Sequence, residues 1–203
     1  AEMQVPTAIL RFALPKTAWW QRSFPRYRPG DLLGVLPTGE TLPRFYSLAS
    51  GSADGFVEIC VRKHPGGLCS GLLMGLAMGD QVQAFVRENA EFRPATGKAP
   101  VILIGAGTGI GPLAGFARDN VGGRAMHLYF GARHPESDLL YGEEMRAWQA
   151  EGKLSSVQVA YSRSAARARC AASSARSAAT SSASRASCAG STCCHGTKGI
   201  AHY

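Results

Sequence analysis

The sequence predicts a β domain followed by an α/β domain, and three observations predict it. Short alternating or β-branched runs, separated by turn residues, fill roughly the first 95 of the 203 positions. The apolar run Val101-Ile102-Leu103-Ile104 then leads directly into a glycine-rich turn and a candidate helix. Beyond that turn, strand-like and helix-like segments alternate.

In chain order the early runs are Thr7–Leu14, Arg44–Ala49, Gly55–Arg62 and Gln81–Arg87. Their spacing reads as an antiparallel barrel or sandwich. Pro29-Gly30-Asp31, Pro37–Gly39, Gly51–Asp54 and Pro65-Gly66-Gly67 supply the turns. One short helix is predicted over Cys69–Leu76, weakened by Gly71 and Gly75. After the loop Arg93–Gly97, strands at Val101–Ile104, His127–Phe130 and Val157–Tyr161 alternate with helices at 111–120 and Glu143–Ala150, the pattern of βαβ units on a parallel sheet. Residues 164–203 fit neither pattern: more than half are Ala or Ser, and Ile200 and Tyr203 are the sizeable apolar groups. Too little surface is available there to offset the ordering entropy of the backbone, so disorder or marginal helix is expected.

Charge follows the same division. Residues 1–161 hold 16 Lys and Arg against 14 Asp and Glu, whereas 162–203 hold six basic residues and no acid. The formal net charge of +8 therefore belongs largely to the tail, and a nucleic-acid-binding body is disfavoured. No apolar run approaches the ~20 residues of a membrane span. Cys60 and Cys69 in the body make no disulfide framework, and no secretory signal is evident, so a cytoplasmic location is expected. The first residue is Ala1 rather than Met, which suggests a piece of something longer. In the tail, Cys188, Cys193, Cys194 and His195 are poorly spaced for zinc, and His64, His127 and His134 show no ligand spacing, so no metal site is expected.

Three groups of residues carry candidate chemistry. Arg44-Phe45-Tyr46-Ser47, with Gly67-Leu68-Cys69-Ser70, offers an aromatic ring and a guanidinium on one strand face and Ser47 on the other. That pairing seats a planar, phosphate-bearing cofactor, and the plain alternative is an exposed Arg/Tyr pair. Ser70 either caps the helix or donates to a phosphate. Gly105-Ala106-Gly107-Thr108-Gly109-Ile110-Gly111-Pro112 follows a strand and opens a helix, which suits close backbone approach to a diphosphate, or else a tight structural turn. It is not the usual G-x-G-x-x-G fingerprint, since Ile110 stands where the last glycine belongs. Tyr161-Ser162-Arg163 ends the last strand, where Ser162 and Arg163 suit a phosphorylated ribose, favouring NADP over NAD, or a solvated turn.

Taken in order, Arg44-x-Tyr46-Ser47, Gly67-x-Cys69-Ser70, Gly107-Thr108-Gly109-Ile110-x-Pro112 and Tyr161-Ser162-Arg163 resemble the ferredoxin–NADP reductase superfamily. Pro29–Val35, Leu128–Arg133 and Leu140-Tyr141-x-Glu143-Glu144 look like its diflavin reductase and sulfite reductase flavoprotein branch. The resemblance covers about residues 5–163. It implies an antiparallel Greek-key FAD-binding barrel at 1–96 and an incomplete parallel-sheet NADP-binding domain at 97–163. By that similarity Arg44 binds the FAD diphosphate, and Tyr46 and Ser47 are the catalytic pair, one stacking on the isoalloxazine and the other hydrogen-bonding near its reactive nitrogen. Gly67, Cys69 and Ser70 hold the diphosphate from the second segment. Gly107, Thr108, Gly109 and Pro112 border the nicotinamide and pyrophosphate of NADPH, with Ser162 and Arg163 on its 2′-phosphate.

The implied activity is hydride transfer from NADPH to FAD, with electrons passing to an acceptor protein or FMN domain. The family's later Tyr-Val-Gln-like segment and its Cys-Gly strand are not found in residues 164–203, which suggests a change of reading frame soon after Arg163. The competing reading is a non-catalytic remnant that holds FAD alone. A plain NAD(P)-binding module leaves the first half, with Arg44 and Tyr46, unexplained.

Overall fold

β1 (Thr7–Ala13) and β4 (Phe56–Arg62) pair antiparallel from end to end, Thr7 opposite Arg62 and Ala13 opposite Phe56. The computed structural model describes residues 6–14, 24–37 and 39–163. The expectations for 164–203, including disorder, the frame change and the tail cysteines, lie outside the described residues.

A second antiparallel sheet has β2 (Leu32–Val35) at its centre, between β3 (Arg44–Ser47) and β5 (Ala84–Arg87). A single bridge, Leu48 to Ile59, joins the two sheets, and they do not close into a barrel among the described residues. Leu33 and Val35 face inward onto Leu48, Val57, Ile59, Val61 and Leu73, the core of this half. Gly34, between them, faces outward opposite Phe45 and Phe85. A Cβ at Gly34 would lie 2.5 Å from the Phe85 ring, and Phe45 and Phe85 meet edge to face across the strand. The helix predicted over Cys69–Leu76 is α1 (Leu68–Met74), ending at Gly75.

The α/β half begins after the loop at 93–97. β6 (Val101–Ala106), β7 (Met126–Ala132) and β8 (Ser156–Tyr161) form a parallel sheet in that order. α2 (Ile110–Arg118) and α3 (Gly142–Ala150) supply the crossovers. Leu103, Leu128 and Phe130 pack with Ile110, Leu113 and Phe116 of α2 and Met145 and Trp148 of α3. The apolar run at 101–104 is buried on this face alone: Ile102 is 64% exposed and Ile104 75%, because no described element covers the other side. Among the described residues no helix is long and apolar enough to cross a membrane.

Ala49 and Cys60 belong to the core of the α/β half, so β4 is shared by both cores. Two glycines permit this. At Gly111 a Cβ would sit 3.1 Å from Cys60 Sγ. At Gly115, one turn on, it would sit 2.5 Å from Pro29 Cβ and 2.8 Å from the Ala49 carbonyl oxygen. The bare backbone of α2 thus rests on the antiparallel half. The turn at Pro29-Gly30-Asp31 is tied in the same region: the Asp31 carboxylate accepts the N–H groups of Arg28 (2.8 Å) and Asn89 (2.9 Å) and pairs with Arg93.

Candidate functional site

β6 delivers the chain to a 3₁₀ turn at Gly107–Gly109, and α2 starts immediately after it. Gly107 has φ +55°, in the left-handed region that glycine tolerates best. At Gly105, by contrast, the neighbour is a side chain: a Cβ there would lie 2.7 Å from Leu113 Cδ1 and would push that leucine aside. The turn opens onto a cleft of about 520 Å³ at the carboxyl ends of β6, β7 and β8. Gly107, Thr108, Arg133 and Ser162 line it, together with Thr7 and Arg62 from the antiparallel half. This is where ligands sit in open parallel sheets.

Ser162 and Arg163 extend the β7–β8 ladder, donating their N–H groups to the carbonyls of Ala132 and Arg133, both at 3.0 Å. The ladder therefore carries Ser162 into the lining of the cleft, with Arg163 next in the chain. Of the residues expected around NADP, the structure brings Gly107, Thr108 and Ser162 together in one lining. Gly109 is exposed at the end of the turn, Pro112 is buried in the first turn of α2, and neither they nor Arg163 line the cleft. Arg133 Nε stands 3.5 Å from Asp138 Oδ2. Among the described residues the Arg62 side chain makes no hydrogen bond or ion pair, and Arg62 shares the lining with the glycine turn and Asp138.

The residues expected around FAD form a second group. Arg44 is exposed on β3, with Tyr46 and Ser47 half-buried. Tyr46 lies opposite Leu33 and packs against the inner core. Cys69 is buried at the start of α1 and belongs to the same inner core, so the two sequence segments meet there. Burial and Cys69 push the Tyr46 phenol above its ordinary value, and the Arg44 charge opposes them. Ser70 Oγ is engaged within its own turn, accepting the His64 N–H at 3.0 Å and donating to the Gly67 carbonyl at 3.3 Å. A Cβ at Gly67 would meet Ser70 Oγ at 2.5 Å. None of these six residues lines the cleft beside Gly107.

Arg62, Arg133 and Thr7 were given no site role from the sequence, although Arg133 ends the family-like stretch Leu128–Arg133. Arg133 had a usable signal, since it follows a predicted strand at its carboxyl end. Arg62 and Thr7 had none, because only the β1–β4 pairing places them at the edge of the other half.

Comparison with known proteins gives one family match in each half of the sequence. An oxidoreductase FAD-binding domain model matches residues 2–85, and an oxidoreductase NAD-binding domain model matches residues 103–180. The sulfite reductase (NADPH) flavoprotein alpha-component of Vibrio vulnificus is 37% identical over 151 residues, covering 67% of this chain and 24% of that protein. NADPH oxidoreductase A of Dictyostelium discoideum is 32% identical over 151 residues, 66% of this chain and 23% of that protein. The chain thus spans about a quarter of the length of these relatives. Ferredoxin–NADP⁺ reductase from Plasmodium falciparum superposes with a TM-score of 0.57 at 22% identity, over 66% of this chain and 57% of that one. An FAD-binding half followed by an NAD(P)-binding half places the chain in the ferredoxin–NADP reductase superfamily, of the diflavin reductase type.

Proposed function

We propose that this chain is an FAD-dependent NADPH oxidoreductase module that passes reducing equivalents to a protein acceptor or an FMN domain. The observation that carries the reading is the cleft at the strand ends, where a positive-φ glycine turn faces Arg62 and Arg133, one cation from each half. In this reading residues 1–96 are the Greek-key FAD-binding barrel, residues 97–163 are the NADP-binding domain, and the module works in the cytoplasm.

The residues present fit both coenzymes. Gly107 offers bare backbone to a diphosphate, and Arg62 and Arg133 neutralise it. Ser162 and Arg163 take the 2′-phosphate, while Gly109 and Pro112 shape the turn that faces the nicotinamide. Tyr46, packed against the inner core, presents its ring for stacking. Arg44 takes the FAD diphosphate with Gly67, Cys69 and Ser70, and Ser47 provides a hydroxyl on the flavin side. When bound, the nicotinamide supplies a hydride and the flavin accepts it and divides it into single electrons. The protein's part is orientation and exclusion of water.

Purified chain should be yellow, and anaerobic NADPH should bleach it. Arg44→Ala and Tyr46→Ala should each lose flavin on gel filtration; retention equal to the parent would refute the flavin assignment. Flavin that stays bound but is not bleached would establish the alternative, an FAD-holding remnant.

A further inference from the structure

Glu58, on β4, is fully buried and belongs to neither coenzyme group. Its two oxygens are saturated. Oε2 accepts Arg11 Nε at 2.9 Å and Nη2 at 2.6 Å. Oε1 accepts Arg118 Nη2 at 2.9 Å and the Tyr141 hydroxyl at 3.0 Å. The partners come from three different elements: Arg11 from β1, Arg118 from the last turn of α2, and Tyr141 from the residue preceding α3. Arg118 also donates to the Ala49 carbonyl at 2.8 Å and lies 3.7 Å from Asp54. The Tyr141 hydroxyl stands 3.4 Å from Cys60 Sγ as well.

Two features separate this cluster from an incidental buried ion pair. Tyr141 is the one described non-glycine residue with positive φ, at +59°. A bulky side chain holds that conformation where its surroundings fix it on several sides. Here the buried ring lies beside Trp148, and the hydroxyl is held by Glu58 and Cys60. Moreover, β4 holds α2 at both ends, through Gly111 on Cys60 at the first turn and Arg118 on Glu58 at the last. The first turn of α2 continues the glycine loop, β4 itself ends at Arg62, and the loop before Tyr141 supplies Asp138 and Leu140 to the cleft.

We propose that Glu58, gripping Arg118 and Tyr141, is a positioning residue: a latch on β4 that sets the register of the nucleotide cleft against the flavin-binding half. The proposal rests on the coenzyme reading above for its consequence, although the latch itself is read without coenzyme. Loss of ring alignment between the two halves slows the reaction with little change in binding, because a small misplacement far from the chemistry is enough.

Tyr141→Phe removes the hydroxyl and keeps the ring, and Glu58→Gln removes the charge and keeps the shape. In the full chain, amide hydrogen exchange should quicken about tenfold in 107–118 and 141–145 and stay unchanged in β2, β3 and β5. With FAD bound, the rate of NADPH bleaching should fall about tenfold, while flavin content and NADP⁺ affinity by calorimetry stay within about twofold. Exchange that rises everywhere, or not at all, in both variants overturns the latch, as does a bleaching rate that falls only as far as NADP⁺ affinity does. A parent that shows no bleaching counts against the coenzyme reading, and the exchange pattern still decides the latch.

Discussion

Gly115 sits on α2 where the helix backbone meets two partners that cannot move aside, the Pro29 ring and the Ala49 carbonyl. In Gly115→Ala the new methyl would lie 2.5 and 2.9 Å from Pro29 Cβ and Cγ and 2.8 Å from the Ala49 oxygen. Ordinary carbon contacts begin near 3.5 Å, so the helix must retreat by about 1 Å. Overpacking of this kind costs about 1–3 kcal/mol. The retreat also strains the Arg118–Ala49 hydrogen bond, one turn away at 2.8 Å, for roughly another 1–2 kcal/mol. Against this, alanine gains about 1 kcal/mol of helix propensity over glycine. The net expectation is a loss of ~1–4 kcal/mol, or roughly 2–16 °C in the midpoint of thermal unfolding followed by far-UV ellipticity. Gly71→Ala in α1 is the control: nothing lies within 4 Å of its added Cβ, so it should gain up to ~1 kcal/mol. A Gly115→Ala protein as stable as the parent would show that α2 does not rest on the antiparallel half as described.

Three further outcomes follow from particular side chains. Arg62→Ala should weaken NADP⁺ binding roughly tenfold by calorimetry and leave the flavin content alone, whereas equal affinity would remove Arg62 from the nucleotide site. Asp119 ends α2, and burial, then the charge of Asp54, raise its pKa against the opposing pull of Arg118 and Arg28. A carboxylate with a raised folded pKa opposes folding above that pKa, and the penalty fades as pH falls through the unfolded value. Asp119→Asn should therefore raise the unfolding midpoint at neutral pH and not in acid; a lowered midpoint at neutral pH would contradict this. Asp31 behaves oppositely. Burial pushes its carboxyl up, but the N–H groups of Asn89 and Arg28 and the Arg93 guanidinium outweigh it and leave the pKa below the ordinary value. Its stabilisation is present above the unfolded pKa and lost as pH falls through the lower folded one. Asp31→Asn should cost about 2 kcal/mol at neutral pH and progressively less in strong acid, as chemical denaturation would measure.

The alternation of strand and helix after residue 100 was legible because each element there is long enough to show its period, and helix and strand ends fell within two or three residues of expectation. β2 was not legible as a strand. It has four residues, Gly34 breaks its pattern, and its apolar alternation is completed by Phe85 filling the glycine's place from a strand some fifty positions away. The burial of the run at 101–104 was legible for one face only, since sequence shows that a strand is apolar but not which of its faces a helix will cover.

The glycines of 105–115 show why the site was only half readable. In the sequence Gly105, Gly107, Gly109 and Gly111 form one cluster that reads as a phosphate loop, and Gly115 lies outside it. In the structure they divide by task. Gly107 adopts a positive φ and opens the cleft. Gly105 yields to Leu113, and Gly111 and Gly115 yield to Cys60, Pro29 and Ala49. The second task has no local signature, because what each glycine avoids lies more than forty residues away or, for Gly105 on β6, in the helix that follows. Arg62 and Glu58 are hidden for the same reason. Both lie on a β4 run that reads as an ordinary alternating strand: Arg62 shares the cleft lining with Gly107 and Thr108, and Glu58 meets Arg118 at the end of α2. The approach of the two halves, rather than either motif set alone, creates both the cationic wall of the cleft and the buried carboxylate behind it.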